Sequence, residues 1–308
     1  MKNNYLHTFQ YLSLVRYKGL VSVLRNYQKY NISIILDLED SAQDLFSKKR
    51  TLELKKIGRQ GLVYLVEKKL KIKNKIFIRI NKIGTAEYKK DLKIIKTAQR
   101  KGLKLEGIFL PKVEKFNQIN EVYRFFKKKI KMVPIIESEK GIDNLKNILD
   151  EDKEKIISHI HYGHFDYCLD QKLWPFPEPY HHEFWAIIEP LLKIIKKYKK
   201  KFIQTPFPLI ENFSLYWSMV KHIKKQYKIK KIYTSLVNYD ENFLQQPKSI
   251  NNLRLKKMSN QKEYKLIFAK KIYNEYINFK SSKKSFSLSR KRFISPHQYL
   301  VAKQILGY

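Results

Sequence analysis

Along most of the chain, short runs of Ile, Leu, Val and Phe alternate with longer stretches in which apolar residues recur every three or four positions. The first pattern is that of a strand buried on both faces, the second that of an amphipathic helix. Strands are predicted at residues 5–12, 33–38, 75–80, 105–110, 132–137, 157–162, 202–205 and 230–235. Helices are predicted near 18–30, 45–68, 86–101, 115–129, 141–150, 180–200 and 213–227, with Asp143 and Asn144 suited to the N-terminus of the fifth. Eight strands alternating with helices predict a parallel sheet, and eight such units close into a (β/α)8 TIM barrel. No glycine-rich turn follows the first strand, which sets aside a doubly wound open sheet. Residues 1–240 are assigned to the barrel. Residues 241–308 are assigned to a closing helix at 261–279, a Ser/Lys-rich basic linker at 281–292 read as a flexible tether, and a C-terminal helical segment starting near Pro296.

Composition changes the picture in one respect. The net charge of +36 invites a nucleic-acid or polyanion-binding reading. Only 10 of the 64 basic residues are arginine, the residue suited to bidentate phosphate and base contacts. The lysines are spread over most of the chain, and Ile, Asn, Tyr and Phe are abundant while Gly and Pro are few, as an AT-rich genome would encode. Nucleic acid is therefore not the expected partner, and a polyanion-binding protein on a retained barrel is the alternative. The positive field would still draw anionic metabolites to a cleft. A single cysteine, Cys168, permits no intrachain disulfide and fits a reducing compartment. With no run of 18 apolar residues and no signal-peptide stretch after Met1, a cytoplasmic protein without membrane contact is expected.

In a barrel of this kind, chemistry collects at the C-terminal ends of the strands. Five successive predicted strands end in ionisable groups. They are Asp37, Glu39 and Asp40 in Leu36-Asp37-Leu38-Glu39-Asp40-Ser41; Arg79, followed by Asn81; Lys112 and Glu114 in Pro111-Lys112-Val113-Glu114; Glu137; and Asp166 in Tyr162-Gly163-His164-Phe165-Asp166. Carboxylates closing an apolar strand are costly to desolvate unless a cation meets them. Glu137 and Asp166, from adjacent strands, offer two hard oxygen ligands, which suits Mg²⁺ or Mn²⁺. Arg79 presents a planar, permanently charged fork suited to a substrate carboxylate or a developing enolate oxygen. A salt-bridge network tying the strand ends together is the bland reading of the same residues. His164 is a candidate acid/base beside Asp166, while His159 and His161 are read as hydrogen-bonded structural residues. Walker, Gly-x-Ser-x-Gly, Cys-x-x-Cys and His-Glu-x-x-His motifs do not occur.

Taken in order, these stretches resemble the HpcH/HpaI aldolase and citrate lyase β-subunit superfamily. The resemblance rests on Leu36–Ser41, Ile78-Arg79-Ile80-Asn81, Gly107–Glu114, Ile135–Gly141 and Tyr162–Asp166. A weaker echo of the family's C-terminal segment lies in Phe293-Ile294-Ser295-Pro296-His297 and Ala302–Leu306. The resemblance implies a metal-dependent carbon–carbon lyase or aldolase, homo-oligomeric as a trimer or hexamer, acting on a small carboxylate or oxo acid. It implies that Glu137 and Asp166 hold Mg²⁺ and that Arg79 stabilises an enolate oxygen. Asp37 and Glu39 would orient Arg79 or line the pocket, with Lys112 also contacting substrate. Backbone N–H groups at Gly163 and His164 would receive a substrate carboxylate. Loss of one such donor as Arg79 typically costs ~3–4 kcal/mol of transition-state stabilisation, so Arg79→Ala is expected to lower turnover roughly a hundredfold with the fold intact.

Two stretches depart from the family pattern. The eighth-strand region, Lys230–Asn238, lacks the Ile-His-Pro of the acyl-CoA-cleaving members, and Phe9–Ser13 replaces an N-terminal Arg-Ser…Pro-Gly segment. Both weigh against coenzyme A binding. After Asp166 comes the loop Trp174–Trp185, rich in Pro and aromatic residues, which reads as a stiff lid over a sugar-like or keto-acid substrate, or as a hydrophobic clasp.

Overall fold

Side chains alternate faces along a strand, so each strand of a closed barrel gives every second residue to the interior and the rest to the helical layer. The computed structural model, which describes residues 5–69, 72–127, 129–209, 211–237, 240–280, 287–289 and 292–308, follows this rule. Eight parallel strands pair in sequence order, β1 (Leu6–Ser13), β2 (Ile32–Asp37), β3 (Lys75–Arg79), β4 (Gly107–Leu110), β5 (Lys131–Ile136), β6 (His159–Tyr162), β7 (Lys201–Pro206) and β8 (Ile232–Leu236). The last returns to the first, with Leu6 opposite Ile232, and closes the barrel. Phe9, Ile35, Phe77, Phe109, Val133, Ile203 and Tyr233 fill the interior. Their outward neighbours, among them Ile34, Leu36, Ile78, Ile108 and Leu110, are buried beneath the helices.

The connecting helices are α1 (Tyr17–Tyr27), α2 (Lys48–Glu67), α3 (Ala86–Arg100), α4 (Phe116–Phe125), α5 (Glu139–Asp143), α6 (Leu145–Glu151), α7 (His164–Asp170), α8 (His182–Lys197) and α9 (Phe213–Gln226). The predicted helix at 141–150 is thus two helices, and its cap is displaced. Ser138, not Asp143 or Asn144, accepts the Gly141 N–H at the N-terminus of α5. Asn144 stands at the junction with α6, where its side chain donates to the Glu114 carbonyl instead of capping.

The helical C-terminal part comprises α10 (Lys262–Lys280) and α11 (Pro296–Ile305), the latter started by a Ser295–Gln298 capping box with Pro296 in its first turn. Of the linker at 281–292, residues 281–286, 290 and 291 lie outside the described residues, as do Met1–Asn4 and Asn238. The rest corrects the tether reading, because β9 (Ser287–Ser289) pairs antiparallel with β10 (Arg292–Ile294). The Pro-rich loop is a clasp and not a lid. Trp174 and Phe176 join Cys168, Ala269, Ile272, Ile294, Val301 and Ala302 in one apolar cluster, and Trp174 Nε1 donates to the Lys265 carbonyl. This cluster fastens α10 and α11 onto α7, and so carries Pro296 and His297 to the top of the barrel. Among the described residues no helix is long and apolar enough to cross a membrane.

Candidate active site

The inward face changes character at the C-terminal end of the strands. Two residues above Ile35, Phe77 and Ile135 stand Asp37, Arg79 and Glu137, and around them a cavity of about 280 Å³ opens. Its wall includes Tyr11, Asp37, Asp40, Arg79, Glu137, His161, Gly163, Asp166, Thr205 and, from the C-terminal part, Ser295, Pro296 and His297.

Arg79 organises one side. Its Nε donates to Asp37 Oδ1 and its Nη2 to Asp37 Oδ2, both at 2.7 Å, a bidentate fork. Nη1 donates to Asp40 Oδ2 at 2.8 Å and stands 3.3 Å from Glu39 Oε2. The guanidinium also lies over the Tyr11 ring, 4.9 Å from its centre. Asp37 accepts two further bonds, from the backbone N–H groups of Glu39 and Ser41. Burial alone would raise the Asp37 carboxyl, but Arg79 and these bonds outweigh it and hold it below its ordinary value. Glu39 has the weaker contact with Arg79, and burial, with Asp40 beside it, pushes it well above the usual carboxylate range.

Glu137 and Asp166 face each other on the other side. Glu137 is 5% exposed, and its Oε1 accepts the Lys112 backbone N–H at 2.7 Å. Lys112 takes a positive φ of 53°, a strained region for a residue with a side chain, and so aims its N–H at the carboxylate. Gly163 makes room for the same group. A methyl at Gly163 would overlap Glu137 Oε2 and lie 2.6 Å from Glu137 Cβ, so only glycine permits this approach. Asp166 meets Lys112 Nζ at 2.9 Å through Oδ1 and His297 Nε2 at 3.2 Å through Oδ2. Burial would raise it, yet His297 and Lys112 hold it far below its ordinary value. Burial and then the Asp166 and Glu39 charges push Glu137 the opposite way, well above the carboxylate range.

Five carboxyl groups, Asp37, Glu39, Asp40, Glu137 and Asp166, thus gather at this rim with three cations, Arg16, Arg79 and Lys112, and His297, in a protein whose surface is strongly basic. The raised Glu137 is the physical sign of that imbalance, because adjacent carboxylates cannot all ionise without another positive charge. The residues present therefore fit a hard divalent cation with oxygen donors from Glu137 and Asp166. Among the described residues no group of three or more His, Cys, Asp or Glu side chains is arranged to hold a metal. Two protein ligands with the remaining positions open is what Mg²⁺ tolerates, since it keeps several waters.

Several predicted site residues do other work. His164 Nε2 lies 2.7 Å from the Pro177 carbonyl and therefore carries the proton, while Nδ1 meets Tyr162 Oη at 3.2 Å. With both ring nitrogens engaged and burial pushing it down to about 4, His164 braces the clasp loop and has no free nitrogen for acid/base work. The expected backbone donors are also occupied, Gly163 N–H by the Ile136 carbonyl and His164 N–H by Thr205 Oγ1. Asn81 is drawn outward, donating to the Leu38 carbonyl and to Asp91 of α3, and Glu114 pairs with Lys140. His159 and His161 do not meet His164 in a metal cluster. His159 packs among Phe9 and Tyr233 near the barrel's other end. Asp40 was read only as one acid of its strand end, yet it takes an arm of Arg79. His297 appeared only within the C-terminal echo, and nothing local to its sequence marks it as a partner of Asp166.

The class of protein defined by this arrangement is a (β/α)8 barrel with an acid-rich, cation-seeking cavity at the C-terminal ends of its strands. The profile of the HpcH/HpaI aldolase/citrate lyase family matches residues 26–205, and the chain belongs to that family. No curated relative matches. Among solved structures, a malate synthase pyruvate/acetyl-CoA ternary complex from Haloferax volcanii aligns over 98% of this chain and 90% of its own, at 13% identity and a TM-score of 0.69. A Mycobacterium tuberculosis citrate lyase β-subunit complexed with oxaloacetate and magnesium aligns over 76% of this chain and 92% of its own, at 14% identity and a TM-score of 0.57. The same organism's protein in complex with magnesium, acetoacetate and coenzyme A aligns over 98% of this chain and 97% of its own, at 14% identity and a TM-score of 0.58. At such identities the likeness is one of fold.

Proposed function

We propose that the chain is a Mg²⁺- or Mn²⁺-dependent carbon–carbon lyase or aldolase that cleaves or forms a β-hydroxy acid, 2-oxo acid or acyl thioester through an enolate. The observation that carries this reading is the excess of carboxylates over cations at the rim, where burial and then the Asp166 and Glu39 charges push Glu137 well above the carboxylate range. Family membership and the metal and oxo acids named in the neighbouring structures support it.

Glu137 and Asp166 would hold the ion. When bound, the ion would supply Lewis-acid charge to an oxygen of the substrate. Arg79 is the chain's own contribution to the enolate. Three of its N–H groups are fixed by Asp37 and Asp40 and a fourth faces Glu39, so the guanidinium is locked in place before substrate arrives. One N–H of Nη2 is left over from these contacts, in the cavity wall. A donor fixed in advance does not reorganise during reaction, which is why such groups lower barriers. Lys112 neutralises part of the rim charge through Asp166 and stands where a substrate carboxylate could exchange with that contact. The small cavity suits a short acid. Coenzyme A or its acetyl thioester is named in two neighbours, but this chain lacks the Ile-His-Pro stretch that would argue for binding it.

Retro-aldol turnover of malyl and citramalyl thioesters and 4-hydroxy-2-oxo acids, and decarboxylation of oxaloacetate to pyruvate and CO2, with Mg²⁺ and after EDTA treatment, tests the reading. Turnover of at least one substrate that is lost with EDTA and restored by Mg²⁺ is expected. Turnover indifferent to EDTA, or none across the panel, would reject it.

A further inference from the structure

Two imidazole nitrogens in the cavity wall, His297 Nδ1 and His161 Nδ1, are buried without a partner among the described residues, and the second is fixed on a barrel strand. His161 lies on β6, 2% exposed, with its ring against Tyr11 and Phe109. Its tautomer follows from its neighbour. Ser235 donates its hydroxyl to the Gln204 carbonyl at 2.7 Å, so the Ser235 oxygen can only accept from His161 Nε2, 3.2 Å away. Nε2 therefore carries the proton and Nδ1 is a lone-pair acceptor. Among the described residues that Nδ1 is buried and meets no hydrogen-bond donor. A buried acceptor without a donor is costly and calls for a partner.

The position of His161 says which part of a ligand would reach it. His161 pairs in register with Ile135, two residues before Glu137 on β5. It therefore sits one inward-facing layer below Glu137, about 7 Å along the strand, within reach of the body of an acid held at the rim. The floor there is otherwise apolar and aromatic.

We propose that His161 Nδ1 accepts a hydrogen bond from a hydroxyl group of the substrate, so that the cavity selects hydroxy acids over acids that lack the hydroxyl. This inference deepens the lyase reading and rests on it, since it assumes that an acid is anchored at the Glu137–Asp166 layer. The role is recognition and not proton abstraction. Burial, with Arg79 adding to it, pushes the imidazole down to about 3, which makes it a poor base near neutral pH. Sites built around a buried hydrogen-bonding group reject the analogue without the matching group, because the site's atom is then left bare.

Malate (both enantiomers) and succinate differ by one hydroxyl and serve as probes in calorimetric titrations of the full chain with saturating Mg²⁺. The wild-type protein is expected to bind malate roughly tenfold more tightly than succinate, the effect of one buried hydrogen bond. His161→Phe keeps the ring packing and removes both nitrogens, and should bring malate down to the succinate affinity while Mg²⁺ binding without acid stays unchanged. His161→Asn, which offers an oxygen near the Nδ1 position, should restore part of the preference. His161→Gln, which reaches only toward Ser235, should not. Equal binding of malate and succinate by the wild type, or a preference that survives in His161→Phe, would overturn the inference while leaving the metal reading intact. Failure of both acids to bind, with Mg²⁺ itself not bound, would reject the metal reading and this inference with it.

Discussion

The two ends of the barrel interior are built from the same strands and behave as opposites. At the N-terminal end, Phe9, Phe77, Phe109, His159 and Tyr233 meet edge to face, with Phe9 5.3 Å from Phe77 and His159 5.0 Å from Tyr233. At the other end, Asp37, Arg79 and Glu137 stand two residues beyond the inward-facing Ile35, Phe77 and Ile135. The lower end is satisfied by contact alone. The upper end holds its arginine with three acids, and burial with the neighbouring carboxylates still pushes Glu137 well above the usual carboxylate range. Stability is concentrated in one layer and unmet electrostatic demand in the next, as a barrel that places its chemistry at one rim requires.

Substitutions at each end should separate these roles. The largest effect is expected at Arg79. Arg79→Ala removes the donor proposed for the enolate, and turnover should fall a hundredfold or more. The pairing with Asp37, Glu39 and Asp40 adds a stability cost to that expectation, because buried Asp37 and part-buried Glu39 and Asp40 would lose their partner. Denaturant melts should show a loss of about 3–5 kcal/mol. Phe109→Ala, at the fully buried centre of the aromatic layer, should cost a similar ~3–5 kcal/mol by opening a cavity, yet leave Mg²⁺ affinity as it was. A Phe109 variant that loses metal binding while remaining folded would mean the two layers are not independent.

Gly163→Ala tests the upper layer by crowding. The added methyl must push Glu137 aside from its Cβ outward, so Mg²⁺ affinity should drop by about a hundredfold and stability by about 1–3 kcal/mol. The smallest effect belongs to the lower layer and to pH. Burial, and then Lys201 and other nearby cations, push His159 down to about 3, so the folded state keeps it neutral. Between its unfolded value near 6.5 and that lowered value, the unfolded chain binds the extra proton, and stability falls as pH falls. At pH 5 the loss should be about 2 kcal/mol relative to pH 8. His159→Phe should remove that part of the slope in urea melts, and an unchanged slope would show that His159 is not its source.

How much of this was legible in the sequence depends on distance along the chain. The eight strands declare themselves through continuous apolar runs, and their order alone closes the barrel. Asp37, Arg79, Glu137 and Asp166 were legible because each closes such a run or follows it closely. The partners that decide their behaviour were less so. Glu39 and Asp40 adjoin Asp37 in sequence, but only the folded chain shows how unequally the two share Arg79. His297 reaches Asp166 across 130 intervening residues, through an apolar cluster whose members come from the clasp loop, α7, α10 and α11. His164 lies at the cavity wall beside Asp166, as its sequence position implies, but its ring nitrogens are taken by Pro177 and Tyr162, partners that sequence adjacency does not reveal. The divided helix at Asn144 escaped notice because its apolar spacing runs unbroken across the junction.

The central claim is that Glu137 and Asp166 together form a divalent-cation site at the upper layer. Calorimetric titration of the full chain with Mg²⁺, wild type against Glu137→Gln, tests it most directly. One Mg²⁺ per chain in the wild type and binding weakened beyond detection in Glu137→Gln is the predicted result. Magnesium bound equally well by Glu137→Gln, or not bound by the wild type at all, would contradict it.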